Sequence, residues 1–367
     1  MTKTKVQKDY YYNLWDDLES WPDMWCYVII GGRNTGKTYS ALNGCRERGL
    51  PFVFIKRTME DVDLLCAGSG KLGTKQNEFA MDLSPFVPIN RDTGDTIKAF
   101  KIKKGLGGFW RTDEEGLPAG EQVGTLLAMN AGAKFKGFDM SENDLMIFDE
   151  FIPQPWERVM KKEGDMLLDL YKTISRDREH RGRDPLKLVL LANATRASNP
   201  VMNTLEITDD VVQMDLLNLE YMPLEERGIF IHRLPDSGRF YDREKESAIY
   251  KAMAGTAWGQ MALDNTFAYD DFSNVAKARI KGAVPLYSII YKKEHWFVYQ
   301  RAGQMIITKS PFNARKKVYD LNRDNGQRAF RRQRYVDLLN RTTLDQVVYE
   351  TYTMYDVLVN FPDYFKA

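Results

Sequence analysis

The stretch Cys26–Thr38, CYVIIGGRNTGKT, joins a short continuous apolar run to a glycine-rich turn. A run of this kind, Cys26–Ile30, has the pattern of a strand buried on both faces. The turn that follows satisfies the spacing G-x-x-x-x-G-K-T through Gly31, Gly36, Lys37 and Thr38, with Gly32, Arg33, Asn34 and Thr35 between them. Its glycines let consecutive backbone N–H groups turn inward around phosphate oxygens, and a following helix presents its N-terminal dipole to the same charge. Lys37 is thereby predicted to reach the β- and γ-phosphates of a nucleotide, and Thr38 to offer its hydroxyl to Mg²⁺.

Outward from the turn, Thr38–Arg48 has helical composition, Gly49-Leu50-Pro51 closes it, and PFVFI follows as a second apolar run ending at Lys56 and Arg57. Further buried strands are expected at Thr125–Met129, Leu145–Phe148 and Leu186–Ala192, with a helix from Trp156 to about Glu179. This alternation predicts an α/β fold with a mainly parallel sheet covered by helices. IKAFKIKKGLGGFW reads as a hairpin on the rim. Beyond Asn199, VVQMDLLNL and GIFIHRL read as two more strands, and Glu244–Met261 as a helical connector interrupted by glycines. VPLYSIIYKKEHWFVYQRAGQMIITK then reads as a three-stranded meander, before a helix-like C-terminus.

With 367 residues, 43% of them hydrophobic, the chain is long enough for two compact domains. Its net charge of +1 conceals an asymmetry: residues 273–367 carry 17 Lys/Arg against 8 Asp/Glu, so the basic excess lies in the C-terminal part. Cys26, Cys45 and Cys66 form no CxxC pair, which fits a reducing compartment, and three scattered histidines exclude a zinc cluster. The N-terminal MTKTKVQKDYYY lacks an apolar signal core and no run reaches the ~18 residues of a membrane span, so a soluble, unexported protein is expected.

A phosphate-binding turn serves kinases, GTPases and motor ATPases alike. LMIFDEF narrows the choice, because its apolar residues deliver Asp149 and Glu150 to the carboxyl end of a strand, where parallel sheets bind ligands. Asp149 is expected to hold Mg²⁺ through its water shell, and Glu150 to polarise the attacking water of a hydrolase. No N-K-x-D base-reading motif of GTPases is present. In KLVLLANAT, Asn193 emerges from a buried strand and either senses the γ-phosphate or caps a turn. SRDREHRGRD supplies Arg176, Arg178, Arg181 and Arg183, either as a solvated helix face or with one arginine entering a neighbouring subunit's site. Arg33 and Arg57 are further candidates for contacting phosphate or coupling the loop to DNA, and Lys134 and Lys136 in AKFKGF raise the same question as the arginines.

Taken together, GGRNTGKT, FIKR, LMIFDEF, ISRDRE followed by LANAT, and GQMALDNTF resemble the genome-packaging ATPases of small tailed bacteriophages of the phi29 type, relatives of large terminases. The resemblance spans Gly31 to Phe267. It implies an additional-strand, RecA-like P-loop ATPase over residues 1–242, a helical linker over 243–272, and a C-terminal RNase H-like α+β domain over 273–367. Lys37, Thr38, Asp149 and Glu150 carry over as the ATPase centre, Arg176 as the finger supplied in trans, and Lys136 as a second trans-acting cation. The resemblance also implies ATP and Mg²⁺ as cofactors and a homopentameric ring on the capsid portal in the host cytoplasm. Its load is double-stranded DNA, with a packaging RNA as a further partner and no membrane.

Active relatives carry acidic metal ligands on the first strand of the C-terminal domain. Here that strand, Leu286–Tyr291, has neither Asp nor Glu, so a vestigial nuclease that retains binding without cleavage is expected. NARKKVYDLNRDNGQRAFRRQRY offers Arg315, Lys316, Lys317, Arg323, Arg328, Arg331, Arg332 and Arg334 for sequence-independent phosphate contacts, with DNA and packaging RNA both open as the ligand. Two other readings compete: a P-loop phosphotransferase acting on a small or acidic substrate, and an assembly factor using ATP as a structural switch.

Overall fold

The structure, a computed structural model, describes residues 11–68, 81–135, 139–154, 157, 160, 162–235, 242, 245–256, 267, 270 and 272–365. The chain forms two compact units, Met1–Leu205 with Met214–Ala268, and Glu206–Gln213 with Tyr269–Ala367.

The first unit is built on β1 (Cys26–Ile30), β2 (Phe52–Lys56), β3 (Ile97–Lys103), β4 (Leu106–Thr112), β5 (Pro118–Ala128), β6 (Leu145–Asp149), β7 (Lys187–Ala192), β8 (Tyr221–Leu224) and β9 (Ile229–Arg233). They form one sheet in the order β3-β4-β5-β2-β6-β7-β1-β9-β8. The strands from β5 to β9 run parallel, and the β3–β4 hairpin and β8 extend the sheet antiparallel at its two ends. The sequence expectation of a mainly parallel sheet therefore holds, and β7 lies between the loop strand β1 and the acidic strand β6. The hairpin expected on the rim is paired to β5 and belongs to the sheet.

Burial explains why these runs became strands. Every residue of β1 is buried, and β2 and β6 are buried except for their last residues, Lys56 and Asp149. Strands covered by helices on both faces have no polar face, so their ionisable groups collect at the ends.

Among the helices, α1 (Leu14–Ser20) packs on α2 (Lys37–Arg48), followed by α3 (Met59–Leu65), α4 (Val87–Thr93), α5 (Glu163–Ser175), α6 (Pro200–Leu205) and α7 (Thr208–Leu216). A Cβ on Gly44 of α2 would lie 1.5 Å from the Trp15 indole nitrogen, so α1 can sit this close only over glycine. That nitrogen donates to Ser40 O at 3.1 Å, and the Arg48 guanidinium covers the ring at 4.0 Å. Tyr12 N donates to Thr35 O at 3.0 Å, joining the N-terminal segment to the glycine-rich turn.

Two expectations need correction. VVQMDLLNL is largely α7: Asp209 and Asp210 stand in its first turn, and buried Val211, Val212 and Met214 form one side of it. A short apolar run does not itself distinguish helix from strand. The helix expected over 156–179 is α5, shorter at both ends and terminated where Arg176 adopts φ 41°. The connector at 244–261 contains α8 (Ala248–Met253); residues 257–266, including most of GQMALDNTF, lie outside the described residues.

The second unit has β10 (Val284–Tyr291), β11 (Glu294–Arg301), β12 (Gln304–Thr308), β13 (Lys317–Asp320) and β14 (Val347–Tyr349) in the order β13-β10-β11-β12-β14. The first three form the expected antiparallel meander, while β13 is parallel to β10 and β14 parallel to β12. The last part of the chain contributes α9 (Asp324–Phe330), a π-turn over Arg331–Tyr335, α10 (Val336–Thr343) and α11 (Tyr352–Val359). Tyr287, Ile289, Trp296, Val298 and Ile307 pack with Phe330, Leu338 and Leu358 in its core.

Candidate nucleotide-hydrolysis site

The parallel strands bring the predicted groups together at their carboxyl ends. Gly31 admits no side chain, because a Cβ there would come within 2.6 Å of Leu234. Asn34 at φ 60° and Gly36 at φ 89° turn the loop into α2. The Lys37 ammonium donates to Gly32 O at 2.7 Å, Gly31 O at 3.0 Å, Thr35 Oγ1 at 3.1 Å and Asn193 Oδ1 at 3.3 Å. Burial lowers its pKa to about 7, against the opposing charges of Asp149 and Glu150. A cation so placed gains from an approaching anion, because phosphate oxygens would restore the stabilisation that water supplied.

Thr38 Oγ1 donates to Asp149 Oδ1 at 2.9 Å, joining the start of α2 to the end of the acidic strand. A hydroxyl beside a carboxylate is an oxygen donor set suited to Mg²⁺, which keeps several of its waters. Glu150 follows with φ 57°, a left-handed conformation that costs a non-glycine residue roughly 1–3 kcal/mol and is concentrated at functional positions. Its side chain is 61% exposed, whereas that of Asp149 is 13% exposed.

Lys56, which sequence reasoning gave no role, ends β2 between these two carboxylates, 3.1 Å from Asp149 Oδ2 and 2.9 Å from Glu150 Oε2. Its charge is the main cause holding the Glu150 carboxyl below its usual pKa. Conversely, although burial works to discharge Lys56, the two carboxylates keep its ammonium above the usual lysine range. The signal in the sequence was the KR pair closing an apolar strand; only the β2–β6 register assigns it a partner.

Arg33 lies toward the segment after β6, donating to Gln154 Oε1 at 3.2 Å. Arg57, raised as a phosphate or DNA contact, is instead buried among carboxylates and carbonyls. Three of the arginines in the run after α5, Arg176, Arg178 and Arg183, separate. Arg178 is 4% exposed and clamps Asp144 Oδ1 at 2.8 Å, the Asn143 carbonyl and Asp184 O at 2.6 Å. Arg183 reaches Glu142 Oε2 at 2.7 Å and Asp144 Oδ1 at 3.0 Å. These two secure a turn. Arg176 is placed differently: it caps α5 with φ 41° and its side chain lies 4.0 Å from Asp139 Oδ1, outside the Ser141–Asp144 turn that Arg178 and Arg183 hold. Lys136 lies outside the described residues, and so does the side chain of Lys134.

In the second unit the basic residues also divide. Arg334 covers the Tyr287 ring at 4.8 Å and donates to Tyr319 Oη at 3.1 Å, while Lys317 donates to Gln333 Oε1 at 2.6 Å. Arg323 pairs with Asp320 at 3.1 Å and Arg328 stands 4.0 Å from Asp324. Arg315, Lys316, Lys317, Arg323, Arg328, Arg331 and Arg332 are all exposed, and Arg334 is half-buried.

A glycine-rich turn between a buried parallel strand and a helix, with its threonine joined to the acidic strand, in a largely parallel sheet, is consistent with a P-loop-type fold. The family described as podovirus DNA encapsidation protein (Gp16) matches residues 122–336, more than half of the chain. The chain belongs to that family.

Curated relatives agree. The DNA packaging protein of Bacillus phage B103 is 26% identical over 304 residues, covering 81% of each chain. That of Bacillus phage phi29 is 27% identical over 304 residues, covering 81% of this chain and 79% of its own. Among solved structures, a chain of the bacteriophage Phi-29 viral genome packaging motor assembly matches with TM-score 0.65 and 18% identity, covering 97% of this chain and 100% of that one. The Phi-28 gp11 DNA packaging motor matches with TM-score 0.58 and 15% identity, covering 97% and 98%. At these identities the structural matches show a shared fold. Among the described residues, no helix is long and apolar enough to cross a membrane.

Proposed function

We propose that the chain is the ATP-hydrolysing subunit of a homomeric, pentameric ring that drives double-stranded viral DNA into a procapsid at the portal vertex, in the host cytoplasm. The observation that carries this reading is the Thr38–Asp149 bond of 2.9 Å with Glu150 beside it, in a chain of the encapsidation family. In this reading the first unit is an additional-strand P-loop ATPase, supported by the place of β7 between β1 and β6.

Thr38 and Asp149 would hold Mg²⁺, which supplies neutralisation of phosphate charge when bound. Lys37 orients the phosphates, Asn193 holds the lysine ammonium, and Glu150 accepts a proton from the attacking water. Paired to Lys56, whose charge favours its anionic form, Glu150 keeps an exposed side chain toward the water it would activate. Arg176, set at the end of α5 by its positive φ, is the group offered to the neighbouring subunit; Lys136 keeps the same role as a proposal from family resemblance.

The second unit would bind nucleic acid, DNA or a packaging RNA, through the basic residues Arg315, Lys316, Lys317, Arg328, Arg331, Arg332 and Arg334. An RNase H-like origin is supported by the antiparallel meander with a fourth strand added parallel to the first; β14, on the opposite edge, departs from that arrangement. The first strand carries no carboxylate, which favours binding without cleavage.

The test is steady-state ATP hydrolysis by assembled rings with and without double-stranded DNA, repeated with rings doped with Glu150→Gln subunits. DNA stimulation and poisoning steeper than the doped fraction are expected. Hydrolysis indifferent to DNA and linear in the wild-type fraction would favour the monomeric phosphotransferase.

A further inference from the structure

Arg57 is 8% exposed and uses all three guanidinium nitrogens. Nε donates to Glu163 Oε1 at 2.9 Å and Nη1 to Glu157 Oε2 at 3.1 Å. Nη2 donates to two carbonyls, Glu150 O at 2.9 Å and Phe151 O at 3.0 Å. A buried arginine that only neutralised Glu163 would have no need of those carbonyls. They belong to the left-handed residue carrying the water-activating carboxylate and to its successor, so the guanidinium grips the backbone at the point of strain.

Its other anchor is the first residue of α5. Glu163 is 1% exposed, and Gly164 beside it lies so close to α6 that a Cβ would stand 2.4 Å from Pro200 O. The start of α5 is therefore packed closely against α6, while Arg176 caps its far end. One planar fork thus ties the Glu150 backbone to the helix whose end presents Arg176.

We infer that Arg57 is a positioning residue for hydrolysis: it fixes the Glu150 backbone and holds it in register with α5. The inference rests on the hydrolytic reading of Glu150. Lysine cannot replace the fork, because a single ammonium cannot reach four acceptors in fixed directions.

The experiment is a double-mutant cycle in ATP hydrolysis with Arg57→Lys and Glu150→Gln. Arg57→Lys is expected to lower kcat about 10- to 100-fold, with KM for ATP within about twofold, since a misplaced catalytic group loses rate of this order without losing phosphate contacts. In the Glu150→Gln background it should change the residual rate by less than about twofold. Should Arg57→Lys fail to bind nucleotide, Glu163→Gln takes its place in the cycle with a smaller expected loss, about 3- to 10-fold. Equal losses in both backgrounds, or a raised KM at unchanged kcat, would overturn the positioning role alone. Wild-type hydrolysis by Glu150→Gln would overturn the hydrolytic reading and this inference with it.

Discussion

In the first unit the central strands bury both faces and place Lys56, Asp149 and Arg233 at their carboxyl ends, whereas in the second unit β10, β11 and β13 are only partly buried, with half-buried or exposed residues among the buried ones. The parallel sheet makes a line of chemistry along one edge. The mixed sheet of the second unit packs Tyr287, Ile289, Trp296 and Val298 into a core. One architecture suits a point site where a few groups must meet within 3 Å or so; the other suits a broad, sequence-indifferent grip on phosphates.

Substitutions can break this contrast. The largest effect is expected at the edge: Lys37→Met should lower single-turnover ATP hydrolysis by about 10³-fold or more, the scale of removing a cation from a phosphoryl-transfer site. Arg176→Ala and Arg178→Ala sharpen it next. The former should keep its melting temperature and lose about 10²-fold or more in ring hydrolysis. The latter should lose about 1–3 kcal/mol of stability, since it leaves the Asn143 and Asp184 carbonyls without their buried donor while Arg183 still pairs with Asp144. If both behaved alike, the separation of these arginines would fail.

Gly44→Ala should destabilise the first unit by about 1–3 kcal/mol in chemical denaturation, because its Cβ must displace Trp15. The mildest effect on chemistry is expected from Arg315→Gln, Lys316→Gln and Arg332→Gln combined. Hydrolysis without nucleic acid should stay within about twofold, while the logarithmic salt slope of nucleic-acid binding falls by about 2–3.

The loop strand, the acidic strand and the meander were legible because each is a continuous apolar run bounded by turn residues. Other elements were not. α7 is a short apolar run whose periodicity fits either helix or strand, β8 contains Pro223, and β13 and β14 are too brief to carry a pattern. At the site, Lys37, Thr38, Asp149 and Asn193 were found from motif and strand end, and the structure brings them together. Lys56 and Arg57 were not resolved, because adjacent basic residues point to different partners, and only the sheet register and the start of α5 decide which. Arg176, Arg178 and Arg183 stand in one polar run that spacing cannot sort; their distinction comes from the turn at Ser141–Asp144.

The central claim is that Glu150 activates water while Lys37, Thr38 and Asp149 bind the nucleotide. It is tested most directly by measuring ATP binding and hydrolysis together on Glu150→Gln. The account predicts nucleotide affinity within about twofold of wild type and hydrolysis reduced by about 10²–10⁴-fold, the range for loss of a general base. Hydrolysis within twofold or so of wild type, with affinity unchanged, would contradict it.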